Sequence, residues 1–305
     1  MAKTMDDLAI SREIRAKVIQ KYGDVPTSVW EIDYSEGRDV IEYEKRKQQA
    51  VAIEKHKKMD YDKNKLGKAF EMSSQNVRGK SGGLSTFPPG LCRRIVMFYS
   101  EEGETVLDPC AGHNSRMQVT YNLGRNYIGY DVSQEFIQFN KEVKDEITGA
   151  GVQGQMFAPS NTITLHEQSS EKMVEEDNSI DLVFTSPPYW DIEYYGEESE
   201  QLGFGKDYGS FLQGLRSVIS ESYRVLKPDR YCAFNINDFR KNGNFYSYHA
   251  DVIKLFEDVG FKMWDVIIIK WKSSIGSCFA SQVESRKITA KAHEYLVVGK
   301  KVLDA

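Results

Sequence analysis

The spacing of apolar residues predicts a helical N-terminal part of the chain. Apolar residues near helical spacing predict a helix over residues 5–22, and "YGDVPTSVW" interrupts this pattern. A highly charged stretch predicts a second helix over residues 38–60. The segment over residues 72–90 is rich in Gly, Ser and Pro, and it predicts a linker or a flexible loop.

Strand and helix patterns alternate along the rest of the chain. The predicted strands are residues 105–108, 127–131, 162–166, 180–184, 230–236, 264–271 and 294–300. The predicted helices are residues 115–122, 133–146, 207–226 and 249–259, with Ser133 and Asp207 as expected N-caps and "LKPD" as the expected end of the third. This alternation predicts an α/β fold with a mostly parallel sheet covered on both faces. The last two strands have only a loop between them, which predicts an antiparallel addition.

Length and composition place these elements in a soluble protein. The chain has 305 residues, which is enough for one large α/β domain with additions or for two small domains. We expect an N-terminal helical and basic extension over residues 1–80 and the α/β domain over residues 81–305. No apolar run approaches the ~18 residues of a membrane span, and the charged N-terminus has no signal-like hydrophobic segment. We therefore expect a cytoplasmic protein without a membrane partner.

Cysteine spacing and charge narrow the possible partners. The four cysteines are far apart and form no C-x-x-C pair, so neither a metal site nor a disulfide framework is expected. The formal net charge of −5 argues mildly against nonspecific binding of polyanions. However, residues 45–68 and 262–301 are basic. These stretches are either solvated faces or a surface for nucleic acid.

The loop after the first predicted strand, in "VLDPCAGHNSRM" (residues 106–117), is a candidate ligand site. Ligands of open α/β sheets lie beyond the carboxyl ends of the strands. The loop lacks both a G-x-G-x-x-G fingerprint and a phosphate cradle with Lys-Ser/Thr, so it suits an amine or hydroxyls better than a pyrophosphate. Asp131 ends the next strand and could accept from a ribose diol. The alternatives are an ordinary turn and an acid that caps the following helix.

"FTSPPYW" (residues 184–190) follows a buried strand and suggests a site for a flat amine. Proline removes a backbone donor and fixes φ, so the carbonyls before it are free of sheet hydrogen bonds. Together with Ser186 and the ring of Tyr189, these carbonyls would suit the exocyclic amino group of a nucleobase. Stacking on such a ring contributes roughly 1–3 kcal/mol per base. The alternative is a Pro-Pro turn with aromatic packing.

The two motifs together resemble those of a known enzyme family. "DPCAG" (residues 108–112) followed by "TSPPYW" (residues 185–190) resembles the S-adenosylmethionine-dependent amino-methyltransferases that act on exocyclic amines of DNA. "STFPPGLCRRIV" (residues 85–96) resembles their motif at the methionine end of the cofactor, and the chain looks most similar to phage and prophage methylases. The resemblance implies a seven-stranded Rossmann-like sheet, S-adenosylmethionine as cofactor and double-stranded DNA as substrate. It also suggests a restriction–modification context.

The resemblance also implies roles for individual residues. The positions expected to hold the cofactor are Thr86, Phe87, Asp108, Pro109, Ala111, Gly112, Asp131 and Gln168. The positions expected to bind the target base and promote transfer are Ser186, Pro187, Pro188 and Tyr189. Asn235 and Asp238, at a strand end, are further candidates. Two departures stand out: His113-Asn114 replaces the usual Ser-Gly, and Gln168 replaces the usual acid near the adenine ring.

The resulting hypothesis is direct methyl transfer to an exocyclic nitrogen of a base extruded from the helix. Ser-Pro-Pro-Tyr in this family favours cytosine N4, whereas an acid or Asn in place of Ser186 favours adenine N6. An RNA base methyltransferase and a noncatalytic nucleic-acid-binding subunit are the alternatives. Trp190, Tyr194 and Tyr195 could stack on neighbouring bases or pack within their loop. Residues 1–80, 190–206 and 272–291 are candidates for reading DNA.

Overall fold

A computed structural model describes most of the predicted α/β domain. The described residues are 5–22, 25–33, 87–150, 160–190, 201–203, 206–272, 280–289 and 291–302. The predicted helix over residues 38–60 lies outside them, as does nearly all of the predicted linker over residues 72–90.

The elements follow the predicted alternation of strands and helices. In chain order they are α1 (Met5–Tyr22), β1 (Val29–Ile32), α2 (Pro89–Tyr99), β2 (Thr105–Asp108), α3 (Ser115–Asn122), β3 (Asn126–Asp131), α4 (Gln134–Ala150), β4 (Ile163–Glu167), β5 (Ile180–Thr185), α5 (Tyr208–Val225), β6 (Leu226–Ile236), β7 (Phe239–Lys241), β8 (Asn244–Tyr246), α6 (Tyr248–Val259), β9 (Lys262–Trp271), α7 (Ala280–Arg286) and β10 (His293–Lys300). As expected, α4 begins directly after Ser133, and the Asp207 side chain caps α5 by accepting from the Ser210 N–H.

Eight of the described strands form one mixed sheet in the order β1-β9-β10-β6-β5-β2-β3-β4. Strand β10 runs antiparallel to both of its neighbours, and the other neighbouring pairs are parallel. This confirms the α/β class, the mostly parallel sheet and the antiparallel C-terminal pair. The seven predicted strands are all present, and β1 adds an eighth at the edge next to β9.

Strand β1 was not predicted because it is short and lies just after a proline. Its four residues alternate in burial, with Trp30 1 % and Ile32 2 % exposed. The Arg94 guanidinium lies 4.7 Å from the Trp30 ring, which ties β1 to α2. This strand belongs to the range predicted as an N-terminal extension, although it pairs with the main sheet.

Three further differences concern the C-terminal half. The segment between β9 and β10 was expected to be only a loop, but it contains α7. "LKPD" was expected to end a helix before a strand at residue 230, whereas β6 already begins at Leu226. The hairpin of β7 and β8 was also missed, although its Asn242-Gly243 turn is a typical two-residue hairpin signal.

Buried side chains cover both faces of the sheet. Strand β5 is buried along its whole length and alternates between faces, as the pleat requires. Leu182 and Phe184 pack with α2 on one face, and Val183 packs with α5 and α6 on the other. The apolar run of β5 therefore reflects a central parallel strand that is covered on both sides.

The strand order reverses between β2 and β5, which lie side by side. The chain leaves β2 towards β3 and β4 on one side, and later continues from β5 to β6 on the other. Such a switch point opens a crevice at the carboxyl ends of the strands. The DPCAG loop follows β2 and the SPPY segment follows β5, so the topology brings both motifs to this crevice.

Candidate active site

A cavity of about 380 Å³ lies at the carboxyl edge of the sheet. The sequence-predicted residues that line it are Phe87, Pro109, Gly112, Asp131, Gln168, Ser186, Pro187, Pro188, Tyr189, Asn235 and Asp238. Asp108 and Ala111 are buried, at 1 % and 0 % exposed, and are not part of that lining. Thr86 lies outside the described residues. Both motifs therefore contribute to one space of a size typical for small-molecule sites.

The Asp108 carboxylate is fully engaged inside the protein. Its Oδ1 accepts from the Thr185 hydroxyl at 2.7 Å and from the Cys110 N–H at 3.3 Å. Its Oδ2 accepts from Arg116 Nε at 2.6 Å and from the Tyr127 hydroxyl at 3.0 Å. Asp108 thus connects β2, β3, β5 and α3, and its direct contact with a cofactor stays a prediction.

Arg116 binds the DPCAG loop through hydrogen bonds to its backbone. Its Nη2 donates to the carbonyls of Cys110 and Ala111 at 2.6 and 3.0 Å, and its guanidinium lies 5.1 Å from the Phe87 ring. Although burial alone would lower it, the carboxylate of Asp108 holds the pKa of Arg116 above its ordinary value. This buried pair fixes the shape of the loop at the first turn of α3.

A second carboxylate, Asp131 at the end of β3, faces the cavity. Its Oδ2 accepts from the Gly112 N–H at 2.8 Å, and its Oδ1 accepts from the Ser133 N–H at 2.8 Å. Gly112 has φ +52°, a conformation that glycine adopts at little cost, and its carbonyl accepts from Asn140 Nδ2 at 2.8 Å. The glycine turn and Asp131 therefore form one unit on the cavity wall.

Burial raises the pKa of Asp131 to about 6, even though the N–H groups of Ser133 and Gly112 stabilise its ionised form. The neighbouring Asp108 carboxylate acts in the same direction as burial. The group is therefore ionised above neutral pH and becomes protonated in mild acid. An ionised carboxylate at this position can accept two hydroxyl hydrogens of a ligand.

His113 packs as an apolar side chain beside the cavity. Its ring centroid lies 4.8 Å from that of Phe136 and 6.1 Å from that of Phe139. Burial, together with the charge of Arg116, lowers the pKa of His113 to about 4. The imidazole is neutral at physiological pH, which agrees with a loop histidine rather than a cationic group.

The loop after β4 closes another side of the cavity. Gln168 lines this side, and its Nε2 donates to the Lys172 carbonyl at 3.3 Å. The Ser170 hydroxyl donates to the Pro109 carbonyl at 2.7 Å and ties this loop to the DPCAG loop. Gln168 thus lies on the wall of the cavity, and its predicted contact with an adenine ring stays a prediction.

The SPPY segment continues from β5 along the opposite wall. Ser186 and both prolines line the cavity, and the Pro188 carbonyl accepts from the Tyr248 hydroxyl at 3.3 Å. The rings of Tyr189 and Tyr248 meet edge to face, with centroids 6.1 Å apart. Tyr248 is completely buried at the start of α6, so a rigid element holds the segment in place.

Trp190 ends this segment in a strained backbone conformation. Its φ is +50°, which is uncommon for a bulky residue. Its indole Nε1 donates to the Lys206 carbonyl at 2.8 Å. A Cβ on Gly203 would lie 2.0 Å from the Trp190 carbonyl oxygen, so this close approach requires glycine. Segment 201–203 therefore passes directly against the turn that follows the motif.

Two asparagines at the end of β6 contribute acceptors to the cavity. Asn235 Nδ2 donates to Glu294 Oε2 at 2.6 Å, and Asn237 Nδ2 donates to the His293 carbonyl at 2.9 Å. The Oδ1 atoms of both asparagines are buried, and they have no hydrogen-bond partner among the residues that the structure describes. Buried acceptors in this state are costly unless a ligand or water donates to them.

Asp238 lies next to these asparagines and is ion-paired. Its Oδ1 lies 2.6 Å from His249 Nδ1, and its Oδ2 lies 3.3 Å from Lys291 Nζ. Burial alone would raise its pKa, but the hydrogen bonds from His249 and the charge of Lys291 hold the pKa of Asp238 below its usual value. Asp238 is therefore a fixed anion at the rim of the cavity.

The two halves of the cavity fit different ligand groups. The half near the glycine turn joins the Asp131 carboxylate with the rings of Phe87 and Phe136, which suits a ribose and an attached apolar or cationic group. The other half joins Ser186 and Tyr189 with the open acceptors of the asparagines, which suits a flat group with amino hydrogens. The residues of the first half therefore fit S-adenosylmethionine, and the assignment of the second half stays a prediction.

Some residues that shape the candidate site were not identified from the sequence alone. Tyr248 and Glu294 contact Pro188 and Asn235, which lie 60 and 59 residues away in the sequence, and Arg116 contacts the DPCAG loop just before its own helix. A helix or strand pattern does not show such contacts. The sequence signal for Arg116 was its position in an otherwise buried turn of α3, because a buried Arg needs a charged or polar partner.

The described residues contain no group of three or more His, Cys, Asp or Glu side chains arranged to hold a metal ion. None of the helices in the described ranges is both long enough and apolar enough to cross a membrane.

A family model described as DNA methylase matches residues 10–142 and 180–302, which is most of the chain. Among solved structures, an S-adenosylmethionine-dependent methyltransferase from Methanosarcina mazei is 12 % identical with a TM-score of 0.46, and the match covers 72 % of this chain and all of that one.

Curated relatives match shorter segments. Type II methyltransferase M.Cfr9I of Citrobacter freundii is 35 % identical over 103 residues, which is 31 % of this chain and 34 % of that protein. M.MjaI of Methanocaldococcus jannaschii is 33 % identical over 137 residues, 36 % of this chain and 45 % of that protein. In both cases the chain spans less than half of the relative's length. The extent of the family match shows that the chain belongs to the DNA methylase family, the S-adenosylmethionine-dependent amino-methyltransferases of the N4/N6 type.

Proposed function

We propose that this protein transfers a methyl group from S-adenosylmethionine to the exocyclic amino group of a base in double-stranded DNA, with cytosine N4 as the favoured position. The proposal rests on the observation that both motifs line the same cavity. The family match and the intact DPCAG and SPPY residues support a catalytic protein over a noncatalytic subunit.

The residues of the first half would hold the cofactor. Asp131 would accept from the ribose hydroxyls, and Phe87 would pack near the methionine end. Asp108 and Arg116 would act indirectly, because they fix the loop between them. When bound, S-adenosylmethionine supplies an activated methyl group on a sulfonium centre.

The residues of the second half would hold the base. The hydroxyl of Ser186 and a carbonyl of the SPPY segment would accept the two amino hydrogens, while Tyr189 stacks on the ring. Acceptors fixed in this way favour a nitrogen whose lone pair is free to bond to the methyl carbon. The protein would therefore lower the barrier through positioning and fixed dipoles. No nucleophilic residue is needed for such a transfer.

The preference for cytosine N4 rests on Ser186. A neutral hydroxyl is a weaker acceptor than the acid or Asn that favours adenine N6 in this family. The acceptors of Asn235 and Asn237 would serve an amino group on either ring. Adenine N6 is therefore the second candidate position.

The test is to incubate the purified protein with S-adenosylmethionine and unmodified double-stranded DNA, and to analyse the digested nucleosides by mass spectrometry. We expect N4-methylcytosine, and a Ser186→Ala variant should lose most of this product while it keeps its cofactor affinity. If N6-methyladenine is found instead, the methylated position is adenine N6 and not cytosine N4. Methylation of RNA but not of DNA would show that RNA is the substrate. A protein that does not bind S-adenosylmethionine would contradict the proposal that it is an enzyme.

A further inference from the structure

A two-stranded hairpin lies at the rim of the cavity. It consists of β7 and β8, joined by the Asn242-Gly243 turn. Both turn residues have positive φ values, +51° and +83°, which match the tight turns that twist with a hairpin. Asp238 and Phe239 at its base line the cavity, so the position of the hairpin relative to the SPPY segment is fixed.

The two faces of the hairpin differ in their contacts. On the inner face, Phe239 stacks on Tyr246 with ring centroids 5.1 Å apart, and Lys241 Nζ lies 4.2 Å from the Trp190 ring. Tyr208 of α5 packs against the same rings, at 4.8 Å from Tyr246. This aromatic cluster anchors the hairpin to the residue that follows the SPPY motif.

The outer face of the hairpin, consisting of Arg240 and Phe245, is open to solvent. The two residues are paired directly across the strands and therefore point to the same side. Phe245 is 46 % exposed, and the Arg240 guanidinium lies 5.0 Å from its ring. Lys291 Nζ lies 5.3 Å from the same ring. An exposed aromatic ring with two cations near it thus lies beside the cavity.

We propose that this outer face binds the DNA strand that carries the target base, an inference that rests on the proposed function. Phe245 would stack on a base next to the extruded one, and Arg240 and Lys291 would contact the flanking phosphates. Aromatic rings combined with a basic surface are typical of contacts with unstacked nucleic acid. The hairpin lies at the rim of the cavity, where a DNA strand must pass when one of its bases enters the cavity.

The chain offers a matched control for each change. Trp264 is also an exposed ring, at 48 %, and Lys300 Nζ lies 4.8 Å from it. Trp264 lies near the start of β9 and is the control for Phe245. Lys262 is the first residue of the same strand and is the control for Arg240. Strand β9 runs in the same direction as β6, so both residues lie towards the edge of the sheet opposite the cavity.

The test measures binding of a short labelled DNA duplex of mixed sequence to the full chain by fluorescence anisotropy, with S-adenosylhomocysteine present. We expect Phe245→Ala to weaken DNA binding about 10-fold, and Trp264→Ala to leave it unchanged. Arg240→Gln should reduce the slope of log affinity against log salt by about 0.9, and Lys262→Gln should not. All four variants should keep the wild-type melting temperature and affinity for S-adenosylhomocysteine, since the changed side chains are exposed.

Three outcomes would overturn the inference. If wild-type protein methylates DNA but Phe245→Ala and Arg240→Gln bind it like their controls, the hairpin does not contact DNA and the proposed function stands. If the changes weaken binding of a single-stranded RNA competitor but not of DNA, the surface serves RNA. If wild-type protein neither binds nor methylates DNA, the inference and the proposed function both fail.

Discussion

At the scale of single residues, the candidate site depends on charged groups whose environment sets their role. Asp108 and Asp131 end neighbouring strands, yet their surroundings differ. Asp108 has a cationic partner and three further donors, while Asp131 accepts from backbone N–H groups and faces the cavity. This difference leads to two predictions.

The first prediction concerns the pH dependence of cofactor binding. The pKa of Asp131 is raised to about 6, so the carboxylate that would accept the ribose hydroxyls is lost as the pH falls through that value. We expect the affinity for S-adenosylmethionine to be constant above neutral pH and to fall up to about tenfold per pH unit in mild acid. Isothermal titration calorimetry across this range measures it. Asp131→Ala should bind weakly at every pH, and a wild-type affinity that does not change in acid would contradict the role of Asp131.

The second prediction concerns the buried pair of Arg116 and Asp108. Replacing Arg116 by Met leaves a buried carboxylate without its cation, which typically costs about 3–5 kcal/mol of unfolding free energy. The double variant Asp108→Asn/Arg116→Met removes both charges and should recover much of this loss. Urea unfolding of both variants and of Asp108→Asn alone completes a double-mutant cycle. Purely additive losses would show that the pair is not coupled.

At the scale of elements, the SPPY segment is held from outside by structures that follow later in the chain. Helix α6 provides Tyr248, segment 201–203 provides Gly203, and the hairpin packs on Trp190. The motif is therefore a short irregular segment supported by rigid neighbours, which is how binding loops usually keep their geometry.

The third prediction tests this support at Gly203. A Cβ at this position would lie 2.0 Å from the Trp190 carbonyl oxygen, so Gly203→Ala must displace the turn after the motif. A displacement near 1 Å can reduce catalysis by about 100-fold. We expect methylation to fall by roughly this factor, while cofactor affinity stays near wild type because the DPCAG loop is separate.

A matched glycine serves as the control for that change. Gly149 lies in α4, and a Cβ on it would have no atom of another described segment within 4 Å. Gly149→Ala should therefore preserve activity and stability, since alanine favours a helix over glycine. Equal activity of the two variants would show that the close approach at Gly203 does not position the motif.

At the scale of the whole molecule, the switch point between β2 and β5 determines where the chemistry takes place. The DPCAG and SPPY motifs are more than 70 residues apart in the sequence, but they follow adjacent parallel strands. The same sheet edge receives β6 and the start of β10, which add the asparagines and Glu294. The cavity is thus a consequence of strand order, and its two halves suit different ligand groups.

The sequence by itself determined the elements with strong periodicity and the residues of the two motifs. The seven strands and the α/β class follow from short apolar runs that alternate with helical patterns. A parallel strand that is covered on both faces is apolar along its whole length, whereas burial of a helix imposes a period of 3.6. The motif residues were recognisable because DPCAG and TSPPYW together resemble the motifs of a known enzyme family, although each stretch alone could be a turn. The position of Gly112 and the cap by Asp207 were equally local features.

Only the tertiary structure decided the contacts that join distant segments. Strand β1 is four residues long, and its burial depends on pairing with β9, more than 230 residues later. The support from Tyr248 and the hairpin at the rim depend on packing that no local pattern encodes. Asp108 and Arg116 are only eight residues apart, but Tyr127 and Thr185 from other strands also hold the Asp108 carboxylate. The physical reason is that spacing along the chain reports which face of an element is buried, whereas the partner on that face is chosen by the strand order of the whole sheet.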